Sequence, residues 1–111
     1  MKINKLSIFS IALSALLFSC NEDEQILNKK DFEGGILVSG EGSSAGTGSV
    51  SFVSSDLSFS EQFIFKNTNN SELGTYLQSL AFSSTNAYIS VDRQNTITVV
   101  DRYSFEEVTK I

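Results

Sequence analysis

The 111 residues predict an all-β chain built from four-stranded antiparallel sheets, and three observations carry that prediction. Residues 78–111 read as four short strands in a row, at 78–82, 87–91, 96–101 and 107–111, rich in Val, Ile and Thr. They are separated by Ser83-Ser84-Thr85-Asn86, Asp92-Arg93-Gln94-Asn95 and Arg102-Tyr103-Ser104, the residue types that close turns between β-branched runs. The second half of that unit has an upstream partner. SVSFVSSDLSFSEQFIF, residues 49–65, lies on residues 96–111 at an offset of about 46, with Val50 against Ile97, Asp56 against Asp101 and Ser58-Phe59-Ser60-Glu61 against Ser104-Phe105-Glu106-Glu107. Proline is absent, so turns fall to Gly, Asn, Asp and Ser. A repeat of roughly 40–50 residues made of short strands is the period of a β-propeller blade. The expectation is therefore the first one to two four-stranded blades of a truncated β-propeller; a small β-sandwich of about seven strands is the alternative.

The elements follow in chain order. Residues 1–19 carry Lys2 and Lys5 and then an apolar run at 8–18, the shape of a secretory signal peptide. As a helix that run would rise only ~16 Å against a hydrocarbon core of ~30 Å, so it does not read as a membrane span. Leu17-Phe18-Ser19-Cys20 resembles the bacterial lipobox, and Cys20 is the chain's single cysteine. The resemblance implies a lipid-anchored Cys20 as first mature residue. Several acyl chains make such an anchor firm, since each buried methylene contributes ~0.8 kcal/mol. Asn21-Glu22-Asp23-Glu24 is a solvated acidic spacer by composition, and it is similar to the surface-export signal of lipoproteins from Bacteroidetes-type bacteria. Residues 20–33 form the tether, and the folded part, 34–111, is expected to begin at Gly34.

Ile36-Leu37-Val38 is a continuous apolar run, expected for an inner strand packed on both faces. Residues 39–48, SGEGSSAGTG, hold four of the seven glycines. They lack a P-loop Lys-Ser/Thr and no helix pattern follows, so they read as an inter-strand loop. Residues 49–53 alternate Ser, Val, Ser, Phe with period 2, a strand with one large apolar face. Residues 61–65 are expected as a further strand and 67–74 as a polar loop, in which Asn69-Asn70-Ser71 fits a glycosylation sequon. Asp56, Asp92 and Asp101 lack calcium-loop spacing and are expected to accept hydrogen bonds from turn backbone. With so few repeats, residues 97–100 are expected near exposed apolar surface and 107–111 at an open sheet edge.

Charge and composition exclude several functions. Losing Lys2 and Lys5 with the leader takes the net charge from −5 to −7, leaving six basic residues against thirteen acidic ones; no nucleic-acid partner is expected. Histidine is absent and cysteine single, so neither a His-based triad nor a Cys/His zinc site is available. No catalytic residue, metal or cofactor is assigned.

Glu41-Gly42, Gly48-Ser49-Val50-Ser51-Phe52, Leu73-Gly74, Gln78-Ser79-Leu80, Ala87-Tyr88-Ile89-Ser90-Val91 and Asn95-Thr96-Ile97-Thr98-Val99-Val100-Asp101 together resemble the N-terminal part of the YncE-like seven-bladed propeller lipoproteins of Bacteroidetes. The resemblance covers residues 34–111. It implies an outer-membrane, lipid-anchored protein facing the cell exterior. Some members work beside TonB-dependent outer-membrane transporters and some capture vitamin B12, so it implies a ligand-binding or transporter-accessory module. A propeller hydrolase or lactonase whose site lies in blades beyond these residues, and a purely structural surface protein, are the other function classes. Fold alone does not choose among them. If 36–39 and 87–91 are second strands of their blades, the loops 41–48, 67–77 and 92–95 share one face. That face would offer Glu41, Asn70, Tyr76, Gln78 and Arg93, a set suited to a polar small molecule or a transporter rim.

Overall fold

The computed structural model describes residues 31–111. The leader 1–19, Cys20 and the acidic cluster 22–24 lie outside the described residues. Two antiparallel sheets make up the fold. The first has three strands, β1 (Gly35–Gly40), β2 (Ser49–Ser54) and β3 (Ser60–Glu61), in the order β1-β2-β3; the second has four, β4 (Leu77–Phe82), β5 (Asn86–Val91), β6 (Thr96–Asp101) and β7 (Glu107–Lys110), in the order β4-β5-β6-β7. The second sheet is the expected meander, its turns falling on the Ser- and Asn-rich clusters. Asp56 and Asp101 act as turn acceptors in both sheets: Asp56 Oδ1 accepts from Ser58 N–H at 3.0 Å, and Asp101 Oδ1 accepts from the N–H groups of Tyr103 and Ser104 at 2.9 and 2.8 Å. The turn after β5 is closed instead by Asn95 N–H on the Asp92 carbonyl, at 2.6 Å.

A helix stands where a strand was expected. Residues 61–65 do not form one strand: β3 stops at Glu61, and α1 (Ile64–Asn69) takes up the next residues, reaching into the expected polar loop. The reason is burial. Ile64 and Phe65 are both fully buried, whereas consecutive residues of a strand would point to opposite faces. One helical turn puts both into the space between the sheets. The helix begins after Phe63 in the left-handed region, at φ 57°, and ends at Asn70, also left-handed, whose N–H donates to the Lys66 carbonyl. Asn69 then ties it to the second sheet: its Nδ2 donates to the carbonyls of Phe65 and Phe105, and its Oδ1 accepts from Glu107 N–H, each at 2.9 Å.

The core lies between the two sheets. Val50 and Phe52 from β2, Leu77 from β4, Ala87, Ile89 and Val91 from β5 and Val100 from β6 meet there, with Ile64 and Phe65 of α1 and Phe105 beside them. β5 alternates one residue in and one out, as a strand with one covered face does. Phe32 joins this core at 5% exposure, edge-on to Phe52 and Phe105, and its N–H donates to the Tyr103 carbonyl. The folded part therefore starts two residues before Gly34, inside the expected tether.

Two further expectations are corrected. β1 is not packed on both faces: Leu37 reaches the core, but Ile36 and Val38 are 60% and 50% exposed. Conversely Thr98, Val99 and Val100 are buried, and within 97–100 only Ile97 is exposed.

The repeat explains which faces are covered. With Val50 matched to Ile97, the strand registers match Phe52 to Val99, and Ile36 and Val38 to Ala87 and Ile89. Val50 and Phe52 face the second sheet, while Ile97 and Val99 lie outside the inter-sheet core. The sheets are thus stacked head to tail. The second sheet turns outward the same face by which the first contacts it. The exposed Ile36, Val38 and Phe59 of the first sheet correspond to the buried Ala87, Ile89 and Phe105 of the second.

Candidate functional site

Three loops converge at one end of the stack. The 41–48 loop can approach the α1–β4 connection because Gly42, at φ 80°, lets the loop fold on itself: a Cβ there would stand 2.3 Å from Gly48 N. Gly48 N–H then donates to the Gly74 carbonyl at 2.9 Å and Leu77 N–H to the Glu41 carbonyl at 2.9 Å. The β5–β6 turn is attached by Asp92 N–H on the Tyr76 carbonyl at 3.0 Å. Gln94 completes the joint. Its Oε1 accepts from Thr75 N–H at 3.1 Å, its Nε2 donates to Thr75 Oγ1 at 3.3 Å, and its amide lies against Gly74, where a Cβ would be 2.9 Å away.

Glu41, Tyr76 and Arg93 are brought together on this end, with Gln78 one residue inside β4. Glu41, Gln78 and Arg93 are exposed and Tyr76 is half-buried. The Arg93 guanidinium sits over the Tyr76 ring, 5.5 Å from its centroid, an arrangement contributing ~0.5–1 kcal/mol at an exposed site. Tyr76 holds φ 58°, a left-handed conformation that is uncommon for a residue with a large side chain. Asn70 does not join the group. It closes the C-terminus of α1 and borders a separate shallow hollow with Lys66, Asn67, Ser71 and Glu72. Lys66 and Glu72 form an ion pair there. Gln94, which organises the joint, has no distinguishing signal in the sequence beyond its place in a turn cluster.

A second concavity opens between the sheets on the side of β1 and β4, a cleft of about 750 Å³ bordered by Phe32, Glu33, Leu37, Phe82, Arg102 and Tyr103. Arg102 is fixed at its lower end: Nη1 donates to the Ser83 carbonyl at 2.9 Å, and the guanidinium lies 5.5 Å from the Phe82 ring centroid and 5.8 Å from that of Tyr103. None of the residues expected to bind ligand borders this cleft. Chemically, the loop end presents a carboxylate, an amide and a guanidinium stacked on a phenol, groups that orient a polar partner through hydrogen bonds and ring contact.

No known protein-family model matches the chain, and no curated protein compared with it is detectably similar in sequence.

Proposed function

We propose that this protein is a surface lipoprotein, anchored through lipid on Cys20, whose folded part belongs to a β-propeller that binds a ligand or seats beside an outer-membrane transporter through its convergent loops. The observation that carries the propeller reading is the head-to-tail stacking. A closed two-sheet sandwich turns both apolar faces inward, whereas here the repeat leaves opposite, mutually complementary faces at the two ends of the stack, with the exposed Ile36 and Val38 on one and Ile97 on the other. Head-to-tail contacts of this kind can repeat, and they form a ring where the rotation between neighbours closes, which is how propeller blades are arranged.

The binding reading is supported by the joint that holds Glu41, Tyr76 and Arg93 on one end while the turn at Ser83–Asn86 lies at the other. Two experiments test it. Cys20→Ser should move the protein from the membrane to the soluble fraction; identical partitioning of the two forms removes the lipid anchor. Titration of the full chain with cyanocobalamin, followed by calorimetry, tests the ligand class named by the resemblance. Alanine at Glu41, Tyr76 and Arg93 should weaken binding, and alanine at Ser83, Ser84 and Thr85 should not. Equal effects of the two sets sink the assignment of this end, and no heat with the unaltered chain sinks cobalamin as its ligand.

A further inference from the structure

The chain enters the fold at a fixed place. Phe32 is buried edge-on to Phe52 and Phe105, its N–H donates to the Tyr103 carbonyl at 2.8 Å, and Ser55 N–H donates to the Gly34 carbonyl at 3.0 Å. Ser55 and Tyr103 belong to the turns that follow β2 and β6. Successive antiparallel strands put those two turns, and the one at 83–85, at the end of the stack opposite the loops at 41–48 and 92–95. Two of the turns are joined there: Arg102 N–H donates to the Thr85 carbonyl at 2.8 Å and the Tyr103 hydroxyl to the Ser84 carbonyl at 3.3 Å. Asp31 is thereby tied to this turn end, and it cannot swing toward the loop end without pulling Phe32 out of the core.

Eleven peptide steps separate Asp31 from Cys20. A fully extended chain spans at most ~3.6 Å per residue, so in any conformation these steps reach no farther than ~40 Å. Strands of six residues are ~20 Å long, and with a layer of turns at either end the stack stands roughly 30 Å tall. Setting the turn end toward a surface that holds Cys20 demands nothing of the intervening length. Setting the loop end there would require about 30 Å of it to run back along the side of the stack, which near-full extension alone allows. A helical segment of that length would reach ~16 Å and could not do so at all.

Resting this step on the lipid anchor at Cys20 proposed above, we infer that the turn end, with residues 55–58, 83–85 and 102–104, faces the lipid surface, and that the loop end with Glu41, Tyr76 and Arg93 points away from it, about 30 Å farther out. Tether length sets this orientation without adhesion. The turn end exposes Asp31, Glu33 and Asp56, while Arg102 is engaged by the Ser83 carbonyl and the Phe82 and Tyr103 rings, so it presents no cluster of cations to lipid phosphate. Of the two occupants proposed for the loop end, the orientation selects a polar solute taken from the aqueous phase. A transporter rim level with the lipid would meet the turn end instead. Further sheets stacked face to face share the same two ends, so their number does not alter the inference.

The test uses the full lipidated chain, added to vesicles of phosphatidylethanolamine and phosphatidylglycerol that carry a headgroup-linked energy acceptor. A donor dye is attached through Ser84→Cys at the turn end or Ser44→Cys in the 41–48 loop, both exposed positions. With the ends ~30 Å apart in height, transfer from position 84 should be at least about fivefold faster than from position 44. Inserting about 24 Gly and Ser residues after Glu24 lifts the length limit and should bring the two rates within about twofold of each other. Equal transfer from the two positions, or faster transfer from 44, overturns the inference. So does a difference that survives the insertion, which would assign the orientation to adhesion of the turn end. Sedimentation separates these results from failure of the anchor. A chain with Cys20 intact that stays in the supernatant removes the anchor and the inference with it, whereas one that pellets with the vesicles and shows equal transfer removes the orientation alone.

Discussion

Asn69 offers the sharpest test of how the two sheets are joined. It makes three hydrogen bonds of 2.9 Å, two of them to groups 36 and 38 residues away in the second sheet, the Phe105 carbonyl and the Glu107 N–H. Asn69→Ala removes all three. A neutral hydrogen bond contributes about 1 kcal/mol net, and a buried carbonyl left without a donor costs somewhat more. Phe105 is fully buried while Glu107 is exposed, so the Phe105 carbonyl bears most of the loss and water can satisfy the Glu107 N–H. The expected destabilisation is about 2–3 kcal/mol, or a thermal midpoint lower by about 10–20 °C for a domain of this size. Asn69→Asp sharpens the argument. A carboxylate still accepts from Glu107 N–H, but its other oxygen meets two carbonyl oxygens where Nδ2 donated. At neutral pH this variant should be at least as unstable as the alanine one. With three tyrosines and no tryptophan in the chain, urea unfolding followed by far-ultraviolet circular dichroism and tyrosine emission is the suitable assay. If Asn69→Ala lies within 0.5 kcal/mol of the unaltered protein, or Asn69→Asp matches the unaltered protein, the clamp does not hold the sheets together as argued.

Three further outcomes follow from individual contacts. Gly35→Ala would set a Cβ 2.5 Å from the Phe52 ring and 2.4 Å from the Val53 carbonyl oxygen; the crowding should cost about 1–3 kcal/mol in urea unfolding, and an unchanged midpoint would contradict that packing. Thr98 is fully buried and its Oγ1 has no hydrogen-bond partner among the described residues, so Thr98→Val should raise stability by about 1 kcal/mol, whereas a loss would mean that the hydroxyl is satisfied. The Asp56 carboxyl is held at about 2, below its ordinary 3.8, chiefly by the Ser54 hydroxyl and then by the hydroxyl and N–H of Ser58. Because its folded pKa is depressed, the stabilisation it provides is complete above about 3.8 and is lost as pH falls toward 2. A carbon-detected titration of Asp56 should show its midpoint rising toward 3.8 in Ser54→Ala, and no movement would assign the shift to another cause.

Local sequence was sufficient wherever the deciding interaction is local. Turn closure depends on a few adjacent residues, so the Ser83-to-Asn86 and Arg102-to-Ser104 clusters placed the breaks of the second sheet within a residue. Asp56 and Asp101 were legible as turn acceptors for the same reason. Period-2 alternation marked β2 because it has one buried face, and side-chain direction along a strand is set by the backbone itself. The loops carrying Glu41, Tyr76 and Arg93 could be placed on one end because successive antiparallel strands return the chain to the same side. Asn70 could not, since a helical turn in place of the expected strand and loop carried it elsewhere.

What remained was decided by contacts distant in sequence. The run at 36–38 signals apolarity but not what lies against it; the second sheet covers Leu37, while Ile36 and Val38 face outward. Ile64 and Phe65 are equally apolar in a strand or a helix, and the need to bury both between the sheets selects the helix. Asn69 reads as one polar residue among several, yet the position of Phe105 and Glu107 makes it a clamp. The cleft beside β1 is the clearest case, for it exists because one sheet has three strands and its neighbour four. That difference lies in the pairing of edges, which is settled by strands distant in sequence rather than by the residues of β1 themselves.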